Sequence, residues 1–128
     1  MGRHTLRKEE ILRPRKEIRW AFKNSRTVLS TDYFVLRFAP YGDRKVLFAV
    51  ERKVRKAVRR NRIKRKLREL YRRNKERFPT GIWIFIGKDR LAELKGEPPV
   101  DWERIKGVVE NTEPRELSDR RDNELGTM

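Results

Sequence analysis

Between Glu51 and Arg77 the chain runs ERKVRKAVRRNRIKRKLRELYRRNKER, with 15 basic and 3 acidic side chains in 27 residues. A segment this charged cannot be enclosed in a core, so it is either unfolded or buried along one side only. Its few apolar residues decide the matter. At about 100° per residue, Ile63, Leu67, Leu70 and Tyr71 gather on one side. Asn61, Arg62, Arg65, Arg68 and Arg72 gather on the other. The spacing predicts a helix whose apolar stripe needs a partner. Val58 falls off that stripe and leaves the helix start open. The partner follows the turn Pro79-Thr80-Gly81: Ile82-Trp83-Ile84-Phe85-Ile86 is a continuous apolar run, as expected of a central strand covered on both faces.

The remaining elements fit around this pair. Past Pro14, Ile18, Ala21 and Phe22 share one face of a short helix ending near Asn24-Ser25. Trp20 falls on the opposite face, without a core role. Thr27-Val28-Leu29 and Tyr33 to Ala39 read as strands. In the second, Phe34, Leu36 and Phe38 share one face, and Tyr33, Val35 and Arg37 the other. Pro40-Tyr41-Gly42-Asp43 is turn chemistry, so Val46 to Val50 is expected to return antiparallel to the second strand across a tight connection. After a break at Gly96 to Pro99, Asp101 is placed to cap a last helix that buries Trp102, Ile105, Val108 and Val109. The order is α-β-β-β-α-β-α, an α+β sandwich with four strands in one sheet.

Composition limits function. Charged residues make up 42% of the 128-residue chain, against roughly 25% in an average protein, and the formal net charge is +16. No apolar run is long enough to span a bilayer, and Met1-Gly2-Arg3-His4 leads into charge, so a cytoplasmic protein without a secretory signal is expected. The absence of cysteine removes disulfides, thiolate metal sites and thiol nucleophiles. The only histidine is His4, the acids are scattered singly, and no glycine-rich phosphate loop or nucleophile elbow occurs. No catalytic residue and no firm metal site is assigned.

Most of the excess charge, a net +12, lies in residues 51–77. Amphipathic helices exposed only to water usually alternate charge signs to gain pairs one turn apart. Here near neighbours repel, a cost that points to an anionic partner. Arginine predominates, and its guanidinium forks onto phosphate oxygens or stacks on bases. A membrane-surface helix would need apolar residues beyond those a core requires, so nucleic acid is the better match. Phe22, Tyr33 and Arg37 offer aromatic and cationic surface for unpaired bases, with ordinary packing as the competing account.

Arg52-Lys53, then Lys56-Ala57-Val58-Arg59-Arg60-Asn61-Arg62-Ile63-Lys64-Arg65 and Arg68-Glu69, resemble the protein component of bacterial ribonuclease P. That family carries a basic pair after a strand and a K-A-V-x-R-N-R-x-K-R-x-x-R-E pattern on the next helix. The likeness covers roughly residues 11–110. Ile18 and Phe22 lie where the family places two phenylalanines four apart, and Tyr33-Phe34-Val35-Leu36 resembles its second-strand opening. Glu51, Arg55, Ile18 and Arg37 depart from the family's serine, glycine, phenylalanine and strand aromatic.

The resemblance implies a left-handed β-α-β crossover, as in the ribosomal protein S5 domain 2-like fold, against the usual hand. It implies a subunit of a ribonucleoprotein that removes the 5′ leader of precursor tRNA, the RNA subunit performing hydrolysis with bound Mg²⁺. It assigns RNA binding to Arg52, Lys53, Lys56, Arg59, Arg60, Asn61, Arg62, Lys64, Arg65 and Arg68. It assigns a leader cleft to Ile18, Phe22, Tyr33, Arg37, Lys53 and Asn61. The implied partners are the catalytic RNA and precursor tRNA, with no membrane and no protein partner required. A basic RNA-binding protein without a role in cleavage, such as a ribosomal protein or RNA chaperone, is the alternative. Residues 1–111 are expected to form one RNA-binding domain with 1–10 mobile, and 112–128 a disordered tail.

Overall fold

The computed structural model describes Ile11 and residues 15–110; the expectations for 1–10 and 112–128 fall outside them. Helix α1 (Arg15–Asn24) leads into strands β1 (Arg26–Ser30), β2 (Phe34–Ala39) and β3 (Lys45–Val50). Helix α2 (Ala57–Arg73) follows, then β4 (Ile82–Gly87) and α3 (Trp102–Glu110). Short 3-10 turns at Lys75–Arg77 and Asp89–Glu93, which carry no strong sequence signal, separate the last elements. No helix among the described residues is long and apolar enough to cross a membrane.

The four strands form one sheet in the order β1-β2-β4-β3. β4 pairs antiparallel with β2 and parallel with β3. The expected hairpin between β2 and β3 is therefore wrong in its adjacency, although the two strands do run in opposite directions. A strand apolar on both faces is most stable with both edges paired, and β4 takes the slot between them. The connection at 40–44 needs to bridge only two strand spacings, about 10 Å, well within the reach of five residues. Sequence alternation reports faces, not neighbours, so it is blind to this insertion. The expected order of elements stands, and β3-α2-β4 is the crossover unit.

Each sheet face has its own core. Phe34, Leu36 and Phe38 of β2, Val46 and Val50 of β3, and Trp83 and Phe85 of β4 meet α2 through Ile63, Leu67, Leu70 and Tyr71. Ile105 and Val108 of α3 join the same cluster. Asp101 caps α3 as expected, its Oδ1 accepting from the Arg104 amide at 3.3 Å. On the other face, Trp20 and Ala21 of α1 pack with Ala39, Tyr41, Ile82 and Ile84. Trp20, for which the sequence offered no core role, is 6% exposed and lies against Tyr41 with ring centroids 6.0 Å apart. Ala21 and Trp20 together point α1 at the sheet, so Phe22, expected on the buried face, turns outward and is 37% exposed.

The contact that seats α2 is unusually close. A β-carbon at Gly87 would overlap Cγ2 of Ile63 and stand 3.2 Å from Cδ1 of Leu67. Glycine here allows Ile63 and Leu67, both fully buried, to rest on the strand backbone. Gly87→Ala should force α2 outward and cost about 1–3 kcal/mol, the usual range for overpacking. Urea denaturation checks this, and an unshifted midpoint would contradict the close approach.

Candidate nucleic-acid interface

Burying Ile63, Leu67, Leu70 and Tyr71 fixes which side chains of α2 face water. Asn61, Arg62, Arg65 and Arg68 are all exposed, and Lys64 is half-buried on the flank. None of these five has a hydrogen-bond or ion-pair partner among the described residues. The helix has one acid, Glu69, and it is already engaged. Arg72 donates to both its carboxylate oxygens at 2.8 and 3.0 Å, and Arg73 lies at 3.5 Å. Hydrogen bonding from Arg72 holds the Glu69 carboxyl below the usual carboxylate range. The Arg62–Arg65–Arg68 stripe therefore carries its charge uncompensated.

The flanks of the helix behave differently. Arg59 reaches across to the 89–93 turn, where it pairs with Asp89 and, at 2.8 Å, with Glu93. Its guanidinium is held further toward the charged form by hydrogen bonds first to Asp89 and then to Glu93. On the same flank Lys66 donates to the carbonyls of Ala92 and Leu94. Arg60, on the other flank, donates to the Val54 carbonyl at 2.7 Å, Glu51 at 3.0 Å and Val50 at 3.4 Å. The motif residues Arg59 and Arg60, read from sequence as phosphate contacts, are thus engaged inside the fold. One braces α2 against the 89–93 turn, and the other clamps the loop between β3 and α2.

That clamp has a consequence for the loop itself. Val54 is 3% exposed and anchors it from below, and the Val54 amide donates to the Glu51 carbonyl at 3.1 Å. Held at both points, residues 51–56 project Arg52, Lys53, Arg55 and Lys56 into solvent. Among the described residues only Lys53 of these has an acid nearby, Glu51 at 3.8 Å. Arg55, where the related pattern has glycine, joins the exposed set. The fixed loop and the helix stripe make one cationic surface.

The opposite face of the sheet carries the second group. Arg37 extends from β2 to the end of α1, where its Nε donates to Ser25 Oγ at 2.8 Å and its Nη2 to the Ser25 carbonyl at 2.8 Å. Its Nη1 donates to Thr27 Oγ1 at 3.1 Å. Ser25 Oγ donates in turn to the Phe22 carbonyl at 3.1 Å. Arg37 therefore fixes the backbone that presents Phe22. Beside them runs a half-buried apolar strip that sequence reading did not single out. Val35, Ile86 and Ala49 lie in one cross-strand row, and Leu47 lies in the next. Its signal was available in the alternation of β3 and β4, whose second faces stay apolar beyond the part that α1 covers.

Tyr33 is not part of this group. It sits in the bend before β2, outside the strand's alternation, and packs against the cluster beneath α2. With Arg90, Glu93, Leu94 and Lys95 it lines a depression by the 89–93 turn. The expected sharing of a face by Tyr33 and Arg37 fails because the strand begins one residue later than its alternation suggested. Ile18, Phe22 and Arg37 belong to the α1 side, whereas Lys53 and Asn61 belong to the loop and the first turns of α2. Among the described residues no set of three or more His, Asp or Glu side chains converges on a point that could hold a metal ion. His4 lies outside the described residues.

The geometry agrees with what comparison with known proteins shows. The ribonuclease P family model matches residues 6–97. The ribonuclease P protein component of Petrotoga mobilis is 31% identical over 112 residues, covering 85% of this chain and 92% of its own. The solved ribonuclease P protein of Thermotoga maritima superposes with a TM-score of 0.57 at 33% identity, covering 81% of this chain and 98% of that one. The Staphylococcus aureus ribonuclease P protein shares the fold at 18% identity, with a TM-score of 0.58 over 79% of this chain and 89% of that one. A fold of this topology, a motif helix set on it and a family match across most of the length agree: the chain belongs to the ribonuclease P protein family.

Proposed function

We propose that this chain is the protein subunit of a ribonuclease P ribonucleoprotein and assists removal of the 5′ leader from precursor tRNA in the cytoplasm. Its family membership supports a role in tRNA 5′ processing. One observation carries the finer reading: the Arg62–Arg65–Arg68 stripe and the 52–56 loop form one exposed cationic surface in which, among the described residues, only Lys53 has an acidic partner. Like charges one turn apart are unfavourable in isolation. A polyanion removes that penalty, because each guanidinium that meets a phosphate releases condensed counterions. The catalytic RNA is assigned to this surface, with Arg52, Lys53, Lys56, Asn61, Arg62, Lys64, Arg65 and Arg68 as contacts. Arg59 and Arg60 act at one remove, by fixing the helix and loop that present them.

The leader is assigned to the α1 side, where exposed Phe22 stands next to an apolar strip that unpaired bases can cover. Arg37 holds Phe22 in place, and Ile18 completes the apolar rim. Lys53 of the loop after β3 and Asn61 of the first turns of α2 are assigned to the leader's other side. Bond breaking belongs to the RNA, whose bound Mg²⁺ supplies the hydrolytic chemistry. This chain contributes binding, orientation and charge neutralisation.

Adding the protein to a bacterial ribonuclease P RNA at low Mg²⁺ should accelerate leader removal, measured by gel, while the protein alone leaves the precursor intact. Cleavage by the protein alone would overturn the proposal, and so would RNA binding without any gain in rate. Arg62→Ala, Arg65→Ala and Arg68→Ala should each weaken RNA binding and lower its salt slope by about 0.7–0.9 per lost contact. Arg60→Ala should instead lower protein stability by about 1–3 kcal/mol, since three carbonyls lose a charged donor. Equal salt-slope losses for Arg60 and Arg62, with stability unchanged in both, would contradict this division of roles.

A further inference from the structure

Helix α1 carries a second cationic stripe that neither the family motif nor the sequence analysis singled out. Arg15, Arg19 and Lys23 recur every four residues and are all exposed. They lie on the side away from buried Trp20 and Ala21. None has a hydrogen-bond or ion-pair partner among the described residues. The one acid of α1, Glu17, is half-buried and on the sheet side of the helix. Arg26, at the start of β1, is exposed next in line. The arrangement is unfavourable twice over. Like charges stand one turn apart, and Arg15 opens the helix, where the macrodipole disfavours a cation.

The RNA assigned to α2 does not relieve this cost, because α1 and α2 cover opposite faces of the sheet. The stripe is continuous with the α1 side of the interface instead. Phe22 lies on the same outward side, three residues from Arg19 and adjacent to Lys23. Cations spaced by four residues rise about 6 Å along the helix. That is comparable to the separation of successive phosphates along an extended single strand. An aromatic platform beside a cation track is the usual means of holding single-stranded nucleic acid without reading its sequence.

We propose that the outer face of α1, through Arg15, Arg19 and Lys23, binds the backbone of the leader upstream of the bases that reach Phe22. The proposal rests on the functional reading above and adds a leader-length dependence to it. Along its length of about 15 Å, α1 can track roughly three phosphates, one for each cation of the stripe. The protein should therefore favour precursors whose leaders extend past the apolar strip.

The test uses holoenzyme assembled from the full chain and a bacterial ribonuclease P RNA. Two precursors differ only in leader length, one ending at the strip and one extending past α1. The wild type should bind the long-leader precursor more tightly. In the Arg15→Ala, Arg19→Ala, Lys23→Ala triple variant, that affinity should fall to the short-leader value, and its salt slope should drop by about 2, or 0.7 per single-strand contact. Binding of the short-leader precursor and of the RNA subunit should be unchanged. Phe22→Ala should weaken both precursors alike. Retention of the long-leader advantage by the triple variant would overturn the proposal, as would loss of affinity for the RNA subunit itself. A holoenzyme whose wild-type protein gives no acceleration would instead indict the functional reading. Thermal denaturation of the triple variant should show no loss of stability, which separates binding from folding.

Discussion

The structure depends on how α2 is seated. Ile63 and Leu67 rest on the bare backbone at Gly87, and Leu70 and Tyr71 continue the contact toward Phe78 and Phe85. This sets the rotation of the helix, and everything cationic on it follows. One flank is braced by Arg59 and Lys66 against the 89–93 turn, and the other is tied through Arg60 to three carbonyls of the incoming loop. Among the described residues the outward stripe and Lys64 beside it remain unpaired. A rotation of one residue, 100°, would bury arginines and expose leucines, so packing specifies the electrostatics.

The sheet divides the molecule into two working faces. Below it, aromatic residues of β2 and β4 and the 75–78 segment fill the space under α2 and α3. Above it, α1 covers only part of the surface and leaves Val35, Ile86, Ala49 and Leu47 half-exposed. An RNA on one face and a single strand on the other then meet different cations except at Lys53. The loop at 51–56 lies at the end of β3, between the two.

The helical stripe, the central position of β4 and the Asp101 cap were legible in the sequence because each is a local, periodic or short-range property. The family pattern at Arg52-Lys53 and Lys56 to Glu69 was legible as well. What escaped is non-local. β4 enters between β2 and β3 because of edge pairing that alternation does not encode. Trp20 faces the core because Tyr41 and Ile82 across the sheet receive it. Tyr33 leaves its strand's register at a one-residue bend. Arg59 and Arg60 resemble their neighbours in sequence, yet Asp89, Glu93 and three loop carbonyls claim them. For a charged side chain, residue type gives the charge and only the fold gives the partner.

The central claim is that the outer face of α2 is electrostatically strained in the free protein and relaxed by a polyanion. Thermal stability of the free chain, followed against salt and compared with an Arg65→Glu variant, tests it most directly. Screening or charge reversal should each raise the melting temperature at low ionic strength, while the variant loses RNA affinity. A melting temperature that is indifferent to salt, together with an Arg65→Glu variant no more stable than the parent, would show that the stripe carries no such strain and would contradict the account.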